Sequence, residues 1–315
     1  MKGDSTKLSR IIGRYDGPKR GPLLIALGSM HGNEPAGVLA LQELFRMLER
    51  EPTHNPTFAY RGRLLALRGN LQAIAENRRF LTKDLNRQLT PENIQRVRSV
   101  PVDRLHAEDR ELRELLDTID TEVKDYQPEE LIVLDLHTTT AHGGIFSIAT
   151  RHPRSVELAR AMHAPVITGM LDGLCGTTLH HFTSDNYPCP THAVTFEAGQ
   201  HNAPEAVQHA VAAIVNLLRS IGSVRPEDVE NRHDEVLINY SSGLPNVARL
   251  SYVHRIQPHD TFVMRPGFRN FQPIYAGEHL ATDQNGPIRA RMDGHLLMPL
   301  YQPQGEDGFF VIQEV

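Results

Sequence analysis

The sequence predicts an α/β fold: a mixed, largely parallel sheet flanked by helices, followed by a smaller C-terminal all-β domain. Three observations lead there. Over the first two thirds of the chain, short continuous apolar runs alternate with segments of helical periodicity, the pattern of strands buried on both faces by crossover helices. The run ELIVLDL at 130–136 reads as a central strand. From about Glu227 the texture changes to Gly- and Pro-rich turns between short β-like runs, with no long amphipathic helix. These shifts divide the chain into an α/β domain over 1–230 and a β domain over 231–315.

Each element has its own signal. The apolar run 22–27 is a buried strand, and 35–50 follows as a helix with Val38, Leu39, Leu41, Leu44, Phe45 and Leu48 at helical spacing. A second strand is expected at 63–67, a short helix at 70–76 and a longer, heavily charged helix at 105–123. Beyond the central strand, 144–149, 165–168 and 193–196 read as short strands. Segment 203–221 is an amphipathic helix carrying Val207, Ala210, Ile214, Leu217 and Leu218 on one face. In the tail, 252–256, 261–263, 296–298 and 309–312 read as strands.

Composition narrows the function classes. With 315 residues and 40% hydrophobic content the chain buries a sizeable core. A net charge of −5 leaves no polycationic face for nucleic acid, so an anionic substrate would need local basic residues. Two cysteines, Cys175 and Cys189, make neither a disulfide scaffold nor a CxxC zinc site. Segment 1–7 is polar and lacks the apolar core of a signal peptide. No run approaches the ~20 apolar residues of a membrane span. The expectation is a cytoplasmic protein without membrane or nucleic-acid partners.

The chemistry-bearing residues cluster at predicted strand ends. His31 and Glu34 stand three apart just after strand 22–27, and His137 follows strand 132–136. In open α/β sheets ligands gather outside the carboxyl ends of the strands. Two histidines and one carboxylate with an open position for water suit catalytic zinc, and Asp135 is a ready acceptor behind a ligand histidine. Glu197, ending strand 193–196, is placed to move a proton. In the cation-dense tract 77–87, Arg79 could polarise a carbonyl while Asn86 and Arg87 hold a substrate carboxylate. Each piece also has a plainer reading: a loop histidine beside a helix-start acid, a strand-rim carboxylate, a solvated charged loop.

Together, HGNEPAG at 31–37, the tract from Arg79 to DLNR at 84–87, DLHTTT at 135–140 and FEAG at 196–199 resemble the succinylglutamate desuccinylase/aspartoacylase family, which is related to the zinc carboxypeptidases. GEHLA at 277–281 and DGHLLMP at 293–299 are similar to that family's C-terminal β domain. The resemblance implies a zinc carboxypeptidase-like sheet and one Zn2+ per chain on His31, Glu34 and His137. It implies Glu197 as general acid/base, Arg79 at the carbonyl oxygen, and Asn86 with Arg87 on the substrate α-carboxylate. The implied reaction is hydrolysis of an N-acyl amino acid, such as an N-succinyl or N-acetyl one. A carboxypeptidase or peptide amidase on the same zinc site, and a non-catalytic metal-binding protein, stand as alternatives, and homo-oligomerisation is left open. The animal-type Tyr and Arg preceding the catalytic Glu have no full match: segment 182–188 offers Tyr187 as a substrate-pocket candidate but no arginine. Tyr301 is a weak match to a tyrosine of the β domain, and His180 and His181 could line the pocket, the plainer reading being surface histidines of a mobile loop.

Overall fold

The structure, a computed structural model, describes residues 8–257 and 259–315. The polar segment 1–7, expected to carry no signal peptide, lies outside the described residues. In chain order the strands of the first part are β1 (Ile11–Asp16), β2 (Lys19–Gly28), β3 (Arg61–Arg68), β4 (Leu131–Thr139), β5 (Phe146–Ala149), β6 (Val166–Thr168) and β7 (Thr191–Gln200). Interleaved with them are helices α1 (Ala36–His54), α2 (Leu71–Glu76), α3 (Pro91–Ser99), α4 (Ala107–Tyr126), α5 (Pro153–Ala161), α6 (Met170–Gly173), α7 (Thr178–His181) and α8 (Glu205–Ser220). The remainder holds α9 (Arg232–Tyr240), β8 (Val247–Arg255), β9 (Val263–Met264), β10 (Gln272–Ile274), β11 (His279–Asp283), β12 (Gly286–Arg289), β13 (Gly294–Leu297) and β14 (Asp307–Glu314).

The predicted alternation becomes a parallel core, β3-β2-β4-β7, inside an eleven-stranded mixed sheet ordered β1-β3-β2-β4-β7-β5-β6-β8-β14-β13-β10. Leu23 to Leu27 of β2 and Leu131 to Leu134 of β4 are fully buried because both sheet faces are covered. Alternate side chains go to opposite cores. Leu24, Ala26, Ile132 and Leu134 pack with α1 and α8, whereas Leu23, Ile25, Leu131 and Val133 pack with α4.

Two helices that sequence periodicity did not single out carry local start signals. Thr90 caps α3 by accepting the Asn93 N–H, with Pro91 in the first turn. His152 caps α5, with Pro153 in the first turn. The tail departs from expectation in two ways. It opens with α9, which packs on α8, and β8, β14, β13 and β10 continue the main sheet. The other three strands form a small antiparallel sheet, β12-β11-β9, whose side chains share a core with Phe309 and Val311 of β14. Among the described residues no helix is long and apolar enough to cross a membrane. Both cysteines are free thiols.

Candidate metal centre and active site

Three neighbouring parallel strands end together. Gly28 of β2 stands opposite Leu136 of β4, and His137 of β4 opposite Glu197 of β7. The loop after β2 brings His31 and Glu34 over the same end. A Cβ on Gly32 would lie 2.1 Å from the Ala73 carbonyl carbon, so only glycine lets this loop press on α2; its N–H bonds the Arg79 carbonyl, just beyond that helix, at 3.2 Å. A Cβ on Gly37 would meet Leu136 Cβ at 2.8 Å, so this glycine sets the first turn of α1 against β4.

His31, Glu34 and His137 are all buried and offer ligand atoms within 4.8 Å of one another. Glu34 Oε1 lies 2.8 Å from His31 Nδ1, and its Oε2 lies 3.1 Å from His137 Nδ1 and accepts the Thr138 N–H at 2.9 Å. The other ring nitrogens turn to buried carboxylates: His31 Nε2 to Asp84 at 3.1 Å and His137 Nε2 to Asp135 at 2.9 Å. An imidazole that gives its Nε2–H to a carboxylate keeps the Nδ1 lone pair for a shared ligand.

The electrostatics ask for positive charge at this point. Burial alone would raise the Glu34 carboxyl, but the two imidazoles outweigh it and hold the group well below the usual carboxylate range. Burial would likewise depress His137, but Asp135 and Glu34 hold it well above the usual imidazole range. Asp84, raised by burial, is brought down by Arg79, His31 and Arg87. Nitrogen and carboxylate donors converging on a buried, electronegative point fit a first-row divalent cation.

Glu197 lines the same cavity, about 110 Å³, as the His–Glu–His set. Burial first, then Glu34 and Asp135, push its carboxyl up to about 8 against the opposing pull of His137. Its Oε2 has no hydrogen-bond partner among the described residues. Arg79 grips Asp84 through Nη2 and Nε, at 2.8 and 3.3 Å, and holds Nη1 3.6 Å from Glu34 Oε1.

The remaining candidates are distributed differently. The Asn86 amide faces the back of the histidine site: Nδ2 is 3.3 Å from Asp135 Oδ2, and Oδ1 accepts the Thr178 N–H at 2.9 Å. Arg87 lines the cavity, with Nη2 on Asp307 at 2.7 Å and Nη1 on the Asn86 carbonyl at 2.8 Å. Tyr187 is not brought into the cavity. Its ring stacks on Phe182 at 5.6 Å and borders a separate cleft of about 1300 Å³. The expectation of surface histidines at 180 and 181 is corrected: both lie on α7, where His180 completes a capping box with Thr177. His181 is buried beside Phe182 and Tyr187, and burial pushes it down to about 4. The Tyr301 hydroxyl donates to the Arg265 carbonyl at 2.8 Å and accepts the Phe268 N–H at 2.9 Å, tying the tail to itself.

Sequence reasoning missed Asp84, Thr138, Asp307 and His201, which lines the cavity with Nδ1 2.7 Å from the Thr138 hydroxyl. Asp84 had a signal, being the one acid in a tract read only for its cations. Asp307 had none, because it reaches Arg87 across the fold. The tail is fastened over the site by Asn33 to Gln302 at 2.8 Å and by the Thr140 hydroxyl to the Pro299 carbonyl at 3.0 Å.

The model of the succinylglutamate desuccinylase/aspartoacylase catalytic domain matches residues 20–221, more than half of the chain. No curated protein matches at a significant level. Among solved structures, succinylglutamate desuccinylase from Vibrio parahaemolyticus is similar at 20% identity and TM-score 0.62, over 96% of this chain and 84% of that one. Succinylglutamate desuccinylase/aspartoacylase from Rhodobacter sphaeroides is similar at 17% identity and TM-score 0.63, over 94% and 87%. The product-bound ectoine utilization protein EutE (DoeB) from Ruegeria pomeroyi is similar at 16% identity and TM-score 0.61, over 94% and 85%. At these identities the structures speak for the fold. The motif-bearing strand ends lie inside the matched residues, and the chain belongs to the succinylglutamate desuccinylase/aspartoacylase family.

Proposed function

We propose that the chain is a zinc-dependent amidohydrolase that cleaves the linear amide of an N-acyl amino acid or a similar small amide, with one zinc per chain and the zinc carboxypeptidase-like sheet that the resemblance implies. The observation that carries this reading is the juxtaposition of the His31–Glu34–His137 donor set with Glu197, whose Oε2 has no partner among the described residues, in one cavity. His31 and His137 would hold the ion through Nδ1 and Glu34 through its carboxylate. When bound, zinc supplies Lewis acidity, polarising a carbonyl and lowering the pKa of water towards ~7.

The chain's own groups do the rest. Glu197 takes the proton of the attacking water and returns it to the leaving nitrogen, so that amide and water become carboxylate and amine. Its raised pKa suits a group that must hold a proton in mid-reaction, and a divalent cation nearby would bring that value down towards neutrality. Arg79, braced by Asp84, donates to the oxygen that gains charge. The small cavity, bordered by Met298, Leu300 and Gln302 of the tail, favours small amides over peptides.

Metal analysis combined with a panel of N-acetyl and N-succinyl amino acids and their amides, assayed with added zinc, tests the proposal. Stoichiometric zinc with turnover of a panel member is expected. Absence of zinc from metal-replete protein, or cleavage of short peptides alone, counts against it. The carboxylates behind the histidines give a second expectation. Asp135→Asn and Asp84→Asn should each weaken zinc binding by roughly 10- to 100-fold, read by competition with a chelator, because the ring nitrogen facing the metal becomes less basic.

A further inference from the structure

We propose that Asp307 occupies the carboxylate clamp of this site, so that the amine side of the substrate carries no free carboxylate at Arg87. The inference rests on the amide-hydrolase reading above and names the substrate class of that same cavity: an N-acyl amine, or an N-acyl amino acid whose carboxyl is capped as an amide.

A guanidinium recognises a substrate carboxylate through two parallel N–H donors on one edge. The terminal nitrogens of Arg87 each have a partner, Nη2 the Asp307 carboxylate at 2.7 Å and Nη1 the Asn86 carbonyl at 2.8 Å, while the buried Nε has none among the described residues and is a donor that a neutral carbonyl can take. The other Asp307 oxygen is held by Arg255, which also donates to the Gly173 carbonyl. Asp307 is buried and stands opposite Arg255 in the β8–β14 register, so strand pairing rather than a free loop positions it.

Charge tells against a second carboxylate. Arg87 is offset by the carboxylates of Asp84, Asp307 and Glu306, and Arg255 pairs with the same Asp307. An incoming carboxylate would meet Asp307 and Glu306 at the cavity wall, and like charges brought together in a partly buried site are costly. The neighbouring wall is apolar, formed by Leu171, Leu174, Leu179 and Phe310, which suits an uncharged group. Arg87 thus serves to hold Asp307 and the tail strand against the site.

The test uses matched pairs that differ only in this charge: an N-acetyl or N-succinyl amino acid and its carboxamide. Zinc-loaded wild type should turn over the carboxamide with the higher kcat/KM. Asp307→Asn, which keeps the size and one acceptor, should raise the carboxylate-to-carboxamide ratio by roughly 10- to 100-fold. The same ratio measured as affinity by calorimetry, with Glu197→Gln to block turnover, keeps selectivity separate from catalysis. Thermal unfolding verifies that each Asp307 variant is folded, and Asp307→Ser serves if the Asn variant is not. Wild type preferring the carboxylate, or an affinity ratio that Asp307 variants leave unmoved, overturns the inference while leaving the hydrolase reading intact. The expected affinity ratio without turnover of either member overturns the hydrolase reading and spares the inference. Binding of neither member overturns both.

Discussion

Glu197→Gln is expected to lower kcat by roughly 100- to 10,000-fold while zinc content stays near that of the wild type. The side chain is buried at the end of β7, opposite His137, and one of its oxygens has no partner among the described residues. Glutamine keeps the shape and cannot carry the proton. In the metal-free protein the same change should remove a pH-dependent loss of stability. Burial pushes the Glu197 carboxyl in the folded state up to about 8 from its ordinary 4.5, so between those values the folded state binds more protons than the unfolded state. Stability therefore falls as pH rises through that window, and the glutamine variant should show a flatter profile. Steady-state kinetics, metal analysis and thermal unfolding of chelated protein across pH check both halves. Unchanged turnover would remove Glu197 from the mechanism.

Glu34→Ala is expected to abolish stoichiometric zinc binding and, with it, turnover. Glu34 faces both imidazoles and also accepts the Thr138 N–H, so its loss leaves two histidines without the carboxylate that completes the set. A ligand at about 1,000 times its Kd stabilises a fold by about 4 kcal/mol, so wild type should show a zinc-dependent rise in Tm that the variant lacks. His137→Ala should act in the same direction. Thermal unfolding with and without zinc, together with metal content, provides the measurement, and a variant that retained one tightly held zinc would falsify the assignment of Glu34.

The part of the site legible in the sequence is the part built close to strand ends by residue types with narrow chemistry. His31, Glu34, His137 and Glu197 each lie at or just past the end of an apolar run, and parallel strands bring such ends together. Asp84 shared its tract with arginines and was read with their purpose. Its actual contact depends on how segment 77–87 packs beneath His31, which no local pattern encodes. Tyr187 looked like a pocket residue by its distance from Glu197, but the turn around it folds back, with Ser184 Oγ accepting the Thr191 N–H at 3.0 Å, and its ring goes to the core with Phe182.

The fold follows the same division. Continuous apolar strands such as β2 and β4 announce themselves, whereas the half-exposed edge strand β1 alternates irregularly and does not. In the tail, β10, β11 and β12 were not read as strands and β9 was met only at Val263, whereas β8, β13 and β14 were visible as strands. Their membership in the main sheet was not, because β8, β14 and β13 owe their places to pairing partners distant in sequence.

β14 lies between β8 and β13 in space, although β13 and β10 precede it in the chain. Among the described residues those two strands pair into the main sheet through β14. His137 and Glu197, in contrast, belong to strands, and His31 and Glu34 to the loop directly after a strand, whose pairings are complete by residue 200. The pairings that bring the candidate site together thus lie within residues 1–200, while the roof over it needs residues 307–314 to pair between β8 and β13. The same strand carries Asp307 to Arg87, so on the inference above the selectivity of the site would depend on a strand that its other groups do not need.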